Sequence, residues 1–362
     1  MRAHIGTLPS LTPLWGRPGE PAASGGGALG TGLDFDGKVV LVTGGTGSFG
    51  RAFVRTVLSR YSPRKLIVFS RDEVKQYDMQ HDSAHEGDPR LRFFIGDVRD
   101  ESRLEMAFRE VDYVIHAAAL KQIPTAEYNP FECIRTNVHG AENVVTAAIR
   151  TGVQKVIALS TDKAASPINL YGASKLASDK IFVAAKNLTG TGPPLFSVVR
   201  YGNVIGSRGS VIPLFQRKLR EKAATLPITD ERMTRFWITL EQGVEFVLSS
   251  ARMMHGGEIF VPKIPSMRVT DLAAAVAPEI PVEFVGIRPG EKLHEVMITE
   301  DEARSTVELS DRYIVRTAGA PYKPYDDGET PVPEGFRYAS DNNTSWLGLD
   351  DMRTLIERSN FS

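Results

Sequence analysis

The sequence contains one cysteine, Cys133, among its 362 residues. A single cysteine cannot form an internal disulfide or a cysteine-based metal cluster, and this usage is typical of a reducing compartment. No apolar run approaches the roughly 18 residues that a membrane-spanning helix needs. The 43 basic and 44 acidic residues nearly cancel, so net charge does not favour binding to nucleic acid or to an anionic membrane. We therefore expect a cytoplasmic protein without a metal site, a nucleic-acid partner or a membrane partner.

The first 33 residues are rich in Gly, Pro, Ser and Ala and lack the apolar core of a signal peptide. We expect residues 1–33 to be a disordered tail, with a misplaced start site as the alternative. Beyond them, short apolar runs alternate with segments of helical periodicity. This alternation predicts an α/β fold, with a Rossmann-type doubly wound parallel sheet and a smaller C-terminal α/β substrate lobe.

The composition of the sequence changes after residue 202, where a predicted loop with several glycines begins. We assign residues 34–202, with a returning segment at about 236–264, to the dinucleotide-binding domain. We assign residues 203–235 and 265–362 to the substrate lobe. Residues 313–345 are rich in Pro, Asp and Gly, and we expect them to be irregular, with a short final helix starting near Trp346.

A glycine-rich turn follows the first predicted strand. Residues 44–50 read Gly-Gly-Thr-Gly-Ser-Phe-Gly and lie between an apolar run and a segment with apolar residues at helical spacing. Glycines in this context let the backbone turn tightly and approach a pyrophosphate, which the helix N-terminus then stabilises. The cofactor-binding residues predicted in this turn are Gly44, Gly47, Ser48, Phe49 and Gly50.

The end of the second predicted strand bears on the type of dinucleotide. An acidic residue at this tip usually binds the ribose of NAD, whereas here Ser70 is followed by Arg71. This favours NADP. The alternative, in which Arg71 and Lys75 only solvate a surface turn, stays open because Asp72 is adjacent. The other predicted cofactor-binding residues are Ser70, Arg71, Asp72, Lys75, Asp97, Val98, Ala117, Lys121, Tyr171, Lys175 and Val204.

Polar residues follow the fifth predicted strand at the sheet edge where open α/β folds bind ligands, namely Thr161, Asp162 and Lys163. Further on, Tyr171 and Lys175 are spaced to share one helix face. Because a neighbouring positive charge favours the phenolate, we expect Lys175 to lower the pKa of Tyr171. Such a pair is common on solvated helices, but its position after this strand favours a catalytic role.

Arginines in predicted loops of the second half suit a diphosphate, because guanidinium groups bind phosphate oxygens as a fork. These are Arg208, Arg235 and Arg288. A plain surface position is the alternative for each of them.

Together these motifs resemble the extended short-chain dehydrogenase/reductases. The motifs are the glycine turn, Ser70-Arg-Asp-Glu73, His116-Ala-Ala-Ala-Leu-Lys121, Ser160-Thr-Asp-Lys163, Tyr171-x-x-x-Lys175 and Arg288-Pro-Gly-Glu-Lys292. From about residue 35 to its end, the chain more narrowly resembles the inverting UDP-N-acetylglucosamine 4,6-dehydratases of the pseudaminic acid pathway.

The resemblance implies an NADP-dependent hydro-lyase that acts on UDP-N-acetylglucosamine in three stages: oxidation at C4, loss of water across C5 and C6, and hydride return to C6. It implies that Tyr171, assisted by Thr161 and Lys175, takes the proton from O4. Lys163 would remove the C5 proton and Asp162 would protonate the leaving C6 hydroxyl. A lysine base must be deprotonated when it acts, and we expect burial or nearby positive charge to favour this.

The Asp162-Lys163 pair separates the possible activities. By the same resemblance, retaining dehydratases usually carry Asp-Glu there, and 4-epimerases lack an acid/base pair for C6; both remain as alternatives. A non-catalytic NADP-binding scaffold would be expected to lose Tyr171, Lys175 or Lys163, and all three are present. The family also implies a homo-oligomer, a dimer or larger. The substrate contacts it implies are Lys121, Asn203, Arg208, Ser210, Arg235, Arg288 and Glu291.

Overall fold

The computed structural model describes residues 35–82, 86–190, 192–207, 210–317, 324–325 and 328–360. The predicted tail and the candidate substrate residue Arg208 lie outside these residues. No helix in the described ranges is long and apolar enough to cross a membrane.

The described residues form strands and helices that alternate through the first two thirds of the chain. The strands are β1 (Val39–Thr43), β2 (Lys65–Ser70), β3 (Leu91–Ile95), β4 (Tyr113–His116), β5 (Lys155–Thr161), β6 (Leu195–Tyr201), β7 (Asn203–Val204), β8 (Leu226–Ile228), β9 (Thr234–Ile238), β10 (Ile259–Pro262), β11 (Ser266–Arg268), β12 (Val282–Phe284), β13 (Val296–Ile298), β14 (Thr306–Glu308), β15 (Arg312–Val315), β16 (Thr330–Pro331) and β17 (Tyr338–Ala339).

The helices are α1 (Ser48–Arg60), α2 (Glu73–Gln80), α3 (Glu101–Phe108), α4 (Ile123–Tyr128), α5 (Pro130–Ile134), α6 (Gly140–Thr151), α7 (Leu170–Ala184), α8 (Lys186–Thr189), α9 (Val211–Arg220), α10 (Leu240–Met253), α11 (Val269–Val276), α12 (Glu300–Ala303) and α13 (Leu349–Asn360). A π-helical turn, Arg135–His139, joins α5 to α6, and a 3₁₀ turn, Asp162–Ala164, follows β5.

One large sheet organises the fold. Within the described residues it has ten strands, in the order β16-β14-β15-β10-β6-β5-β4-β1-β2-β3. The strands from β3 to β10 are parallel, and those at the heart of the sheet are continuous apolar runs because helices cover both faces. The predicted doubly wound Rossmann sheet is confirmed. Strand order reverses between β1 and β4, and ligands bind outside such a switch point in open α/β sheets.

Part of the far edge of this sheet, β16 and most of β15, comes from residues 313–345, which the sequence predicted to be irregular. β15 is buried and pairs antiparallel with β10, and β14 and β16 follow outside it. The prediction was wrong there because β15 has only four residues and is fixed by pairing with β10, which lies far away in the sequence. The division of the chain into a dinucleotide domain and a lobe stays a prediction, although these strands, assigned to the lobe, extend the large sheet.

A second hydrophobic core lies outside the large sheet. Helices α9, α11 and α13 pack around it, and the short strand pairs β8–β12 and β9–β11 adjoin it. Its larger buried side chains are Phe215, Trp237, Met267, Leu272 and Met352. The final helix begins at Leu349, three residues after the predicted start. This core supports β9 and the loop before β13, which both reach the end of β5.

Candidate active site

The turn after β1 is packed too tightly for a side chain at two of its glycines, Gly44 and Gly50. Gly44 has φ +64°, and a Cβ on it would lie 2.9 Å from the Ala118 backbone. A Cβ on Gly50 would lie 2.3 Å from the Gly45 Cα. The first turn of α1, which includes Ser48 and Phe49, therefore packs directly against the loop. This close backbone approach at a helix N-terminus fits the pyrophosphate of a dinucleotide.

The tip of β2 brings the predicted NADP-selective residues to one place. Ser70 is buried, and its Oγ lies 2.9 Å from Thr46 Oγ1. Lys75 Nζ is 2.6 Å from Asp72 Oδ2, and Arg71 Nη1 is 3.6 Å from Asp97 Oδ2. Both cations are largely exposed and each faces a carboxylate. The other candidate cofactor residues lie at neighbouring strand ends: Val98 after β3, Ala117 after β4 and Val204 in β7.

The loop after β4 is braced from the π-helical turn. Asn137, buried in that turn, accepts a hydrogen bond from the Leu120 amide at 2.8 Å and donates to the Leu120 carbonyl at 2.9 Å. Its amide also donates to Ser174 Oγ on α7 at 2.9 Å. These bonds fix the backbone that carries Lys121, whose side chain is exposed at the sheet edge.

Asp162 and Lys163 lie in the 3₁₀ turn that ends β5. Thr161 shapes the turn: its hydroxyl donates to Asp162 Oδ1 at 2.8 Å and accepts the Lys163 amide at 3.3 Å. Asp162 is fully buried, and burial raises the pKa of its carboxyl group above the ordinary value. Its Oδ2 atom has no hydrogen-bond partner among the described residues. Buried polar atoms are normally paired, so this oxygen is left able to accept or share a proton with a bound molecule.

Lys163 is surrounded by acceptors. Its Nζ is 3.1 Å from Asp162 Oδ1, 3.2 Å from Glu295 Oε1 and 3.4 Å from Asn203 Oδ1. Burial works to lower the pKa of Lys163, but the charges of Asp162 and Glu295 outweigh it and the pKa is raised. The expectation that the surroundings would favour a neutral lysine was wrong, because two carboxylates flank it. Lys163 is an ammonium in this arrangement.

Tyr171 and Lys175 lie on the same face of α7, as predicted, but their electrostatics differ from the prediction. Burial raises the pKa of Tyr171 to about 12, although the charge of Lys163 and a hydrogen bond with Thr161 act to lower it. Lys175 is itself buried and donates from Nζ to the Leu159 carbonyl at 2.8 Å. The predicted lowering by Lys175 was wrong here, because desolvation of the phenolate is the larger effect.

The predicted substrate contacts from Asn203 onward that the structure describes lie in three places. Asn203 and Arg235 lie in the Lys163 cluster, but Arg235 is 8% exposed and donates to the carbonyls of Lys292 and Leu293 at 3.0 and 3.1 Å. Arg288 and Glu291 lie further out on the loop before β13, 3.9 Å apart. Ser210 precedes α9 as its N-cap. Within the described ranges, Ser210 Oγ and Glu291 Oε2 are buried without a hydrogen-bond partner.

Sequence reasoning missed Glu295 and Lys292. Glu295 is 2% exposed and immediately precedes β13, and Lys292 Nζ donates to the Ala165 carbonyl at 2.6 Å beside the 3₁₀ turn. The signal for Glu295 was present in the sequence, since it is an acidic residue followed directly by the apolar run Val296-Met-Ile298. A charged residue at the start of a buried strand needs partners.

Comparison with family models identifies one match. The model described as "Polysaccharide biosynthesis protein" matches residues 40–317. Among curated proteins, the chain is 53% identical over 330 residues to the UDP-N-acetylglucosamine 4,6-dehydratase (inverting) of Campylobacter jejuni, covering 89% of this chain and 98% of that protein. It is 42% identical over 333 residues to a UDP-glucose 4-epimerase of Rickettsia conorii, covering 88% of this chain and 95% of the relative.

Solved structures of similar fold include two that cover most of the chain. Pen from Bacillus thuringiensis superposes with a TM-score of 0.83 at 36% identity, over 91% of this chain and 99% of the other. DesIV from Streptomyces venezuelae, a dTDP-glucose 4,6-dehydratase with NAD bound, superposes with a TM-score of 0.63 at 26% identity, over 70% of this chain and 86% of the other.

Proposed function

The chain belongs to this family of polysaccharide biosynthesis proteins, and we propose that within it the protein is a UDP-N-acetylglucosamine 4,6-dehydratase that inverts C5. The observation that carries the proposal is the buried Asp162–Lys163 pair, 3.1 Å apart at the end of β5, in a chain 53% identical to an enzyme of that name. The product is UDP-2-acetamido-2,6-dideoxy-β-L-arabino-hex-4-ulose.

The cofactor is a nicotinamide dinucleotide, and we propose NADP. Its pyrophosphate would lie against the turn of Gly44, Gly47 and Gly50, where the backbone approach leaves no room for a Cβ at two of the three glycines. The 2′-phosphate of NADP would take Arg71 and Lys75 from their present carboxylate partners. The bound dinucleotide would supply the redox chemistry, as hydride acceptor for C4 and then as hydride donor for C6.

Tyr171 is the proposed base for the sugar O4 proton. With a pKa raised to about 12 by burial, Tyr171 is a neutral phenol near neutral pH and needs added positive charge to act. Lys163 supplies positive charge close to Tyr171, Lys175 lies on the same face of α7, and a bound oxidised nicotinamide ring would add a further positive charge. With Tyr171 held as the phenolate by this added charge, the O4 proton would pass to its oxygen while C4 loses a hydride and becomes a ketone. The ketone acidifies the hydrogen on C5.

Lys163 and Asp162 are the proposed base and acid of the elimination. Because Lys163 is an ammonium, it must give up a proton before it can accept one from C5. Asp162 Oδ1 lies within hydrogen-bond distance of Nζ, and burial favours the protonated form of that carboxyl. Transfer of one proton within the pair yields a neutral amine and a carboxylic acid. These are the two groups that the elimination requires.

The elimination needs no proton donor or acceptor other than this pair. Lys163 takes the C5 proton, the electron pair forms the C5–C6 double bond, and the C6 hydroxyl leaves as water with the proton from Asp162. Each well-placed acid or base supplies roughly 10²- to 10⁴-fold in rate. Addition of the hydride to C6 and of a solvent-derived proton to C5 on the opposite face completes the product with inverted C5.

The proposal also assigns the substrate contacts, the location and the assembly of the protein. The UDP-sugar contacts Lys121, Asn203, Ser210, Arg235, Arg288 and Glu291. Two buried atoms of this set, Ser210 Oγ and Glu291 Oε2, have no hydrogen-bond partner among the described residues, and this supports the assignment. The lobe that carries most of these residues binds the substrate over the dinucleotide domain. The protein acts in the cytoplasm as a homo-oligomer, and its product enters pseudaminic acid synthesis.

A retaining dehydratase and a 4-epimerase are not favoured, because the inverting dehydratase is more similar to this chain than the epimerase is. The purified protein should be incubated with UDP-N-acetylglucosamine and the products analysed by mass spectrometry after borodeuteride treatment. A product that has lost one water and takes up deuterium at C4 supports a dehydratase. A product of unchanged mass that comigrates with UDP-N-acetylgalactosamine would contradict it.

A further inference from the structure

Glu295 is a buried carboxylate beside the proposed base, and the mechanism above does not use it. It precedes the apolar strand β13, and its side chain is 2% exposed. Its backbone is fixed against β17, because its amide donates to Ser340 Oγ at 2.9 Å and its carbonyl accepts the Ser340 amide at 2.8 Å. Burial of a carboxylate is unfavourable unless partners compensate for the lost hydration, so a charged Glu295 requires cationic or hydrogen-bonding partners.

Three cations surround Glu295. Oε1 lies 3.2 Å from Lys163 Nζ and 3.7 Å from Arg235 Nε, and Oε2 lies 3.9 Å from Lys292 Nζ. Burial works to raise the pKa of Glu295, but these charges outweigh it and the pKa is lowered, so the side chain is a carboxylate. Arg235 and Lys292 also donate to backbone carbonyls, whereas Lys163 is the cation of the three that gains and loses a proton in the proposed mechanism.

We propose that Glu295 is a positioning residue for removal of the C5 proton. It holds the Lys163 side chain from the residue before β13, whereas Asp162 holds it from the 3₁₀ turn, and it stabilises the ammonium that Lys163 becomes when it takes the proton. Asp162 enters the step as a neutral acid and becomes an anion only as it gives up its own proton, so Glu295 is the carboxylate that is charged throughout the step. The inference rests on the proposed function.

The charge of Glu295 also sets the pH range of the reaction. The titratable and charged groups that face the cluster are Asp162 and Lys163 on the 3₁₀ turn, Tyr171 on α7, Arg235 on β9 and Lys292 before β13. The reactive form holds one proton within the Asp162–Lys163 pair. It is lost at low pH when the pair gains a second proton, and at high pH when the pair loses its only one.

The negative charge of Glu295 raises the pKa of both members of the pair. Replacing Glu295 by the neutral, equally sized glutamine therefore moves both limbs of the kcat–pH profile to lower pH. We expect kcat of Glu295→Gln to fall on the order of 10²-fold, the loss typical of one preorganised charge at an active site. KM should change little, because the side chain acts through Lys163. Unchanged limbs, or a loss confined to KM, would overturn the proposal.

Glu308→Gln is the matched control. It removes the same charge from another lysine–glutamate pair, with Lys263 Nζ 2.7 Å from Glu308 Oε1 at the edge of the large sheet. Its kcat, KM and pH limbs should equal those of the wild type. A shift of the same size in this control would mean that overall charge, rather than Glu295, sets the profile.

If Glu295→Gln fails to fold, Glu295→Asp tests the positioning role instead. Aspartate keeps the charge but is one methylene shorter, so the pH limbs should return toward their wild-type positions while kcat stays reduced. Wild-type kcat in Glu295→Asp would refute the positioning role.

A measurement independent of turnover separates this inference from the proposed function. The side-chain NMR signal of Lys163 in the full chain can be assigned by its loss in Lys163→Arg, and its titration gives the pKa. We expect a lower Lys163 pKa in Glu295→Gln than in the wild type. An unchanged pKa overturns the role of Glu295 even where the wild type forms the dehydrated product, whereas a lowered pKa in a protein that forms only an epimer rejects the dehydratase alone.

Discussion

Gly172 lies so close to Lys163 that a Cβ built on Gly172 would stand 2.3 Å from the Lys163 carbonyl oxygen. Gly172 is in the first turn of α7, next to Tyr171. The missing side chain lets the helix that carries Tyr171 pack directly against the turn that carries Asp162 and Lys163. The distance between Tyr171 and the Asp162–Lys163 pair therefore depends on Gly172.

Gly172→Ala should displace α7 from the 3₁₀ turn and lower kcat on the order of 10²-fold, because misplacement by about 1 Å is that costly at a reacting centre. Gly243→Ala is the control, since Gly243 is also helical and a Cβ there meets nothing within 4 Å. That variant should keep wild-type kcat and gain up to about 1 kcal/mol in stability from better helix propensity. Wild-type turnover by Gly172→Ala would show that the close packing does not matter.

The cofactor preference can be tested at the tip of β2. Replacing Arg71 and Lys75 together by alanine should weaken NADP binding on the order of 10- to 100-fold, because two charged hydrogen-bond donors to the 2′-phosphate are lost. NAD binding should change little, and calorimetric titration measures both. Arg64→Ala, at the opposite end of the same strand, is the control. Equal losses for NAD and NADP in the double variant would reject the proposed selectivity.

Lys163→Ala should separate oxidation from elimination. Tyr171 and Lys175 remain, so C4 oxidation should still occur in part and be seen as reduced-cofactor absorbance after addition of substrate. The 4-keto-6-deoxy product should fall by at least the roughly 10²- to 10⁴-fold that a general base supplies. Lys263→Ala, which removes a lysine from the pair with Glu308, should behave as the wild type. Normal product formation by Lys163→Ala would remove Lys163 from the mechanism.

His116 should make stability depend on pH. It is 1% exposed, its Nδ1 is 2.9 Å from Thr43 Oγ1, and burial, with a smaller contribution from Lys175, lowers its pKa to about 3. Since the unfolded pKa is about 6.5, the unfolded state binds more protons between these values. Stability is therefore full above pH 6.5 and is lost as pH falls, by up to about 1.4 kcal/mol per pH unit.

His116→Asn should reduce this loss, seen as a smaller fall in the thermal unfolding midpoint between neutral and mildly acidic pH. His81→Asn, at an exposed position, should leave the wild-type dependence unchanged. If His116→Asn follows the wild-type curve, another group carries the pH dependence.

The elements that could be predicted from the sequence are those whose form depends on a few consecutive residues. The glycine turn, the parallel strands and the shared helix face of Tyr171 and Lys175 each follow from a few consecutive residues. β15 was missed because its identity as a strand depends on pairing with β10 across the fold.

The electrostatics of the site could not be predicted in the same way. The pKa of Tyr171 is decided by burial, and the charge of Lys163 by Glu295, which lies 132 positions away in the sequence. No spacing rule connects Glu295 to Lys163. Only the isolated acidic residue before the apolar run of β13 gave a local sign of this contact.

The central claim is that Lys163 and Asp162 remove water across C5 and C6 with inversion at C5. The most direct measurement is proton NMR of the sugar ring during turnover of UDP-N-acetylglucosamine in deuterated water. We predict loss of the C6 hydroxyl, deuterium at C5 and ring couplings of the inverted sugar. Deuterium at C5 with the original configuration would contradict the inversion, and the galacto isomer without solvent deuterium would contradict the roles of both residues.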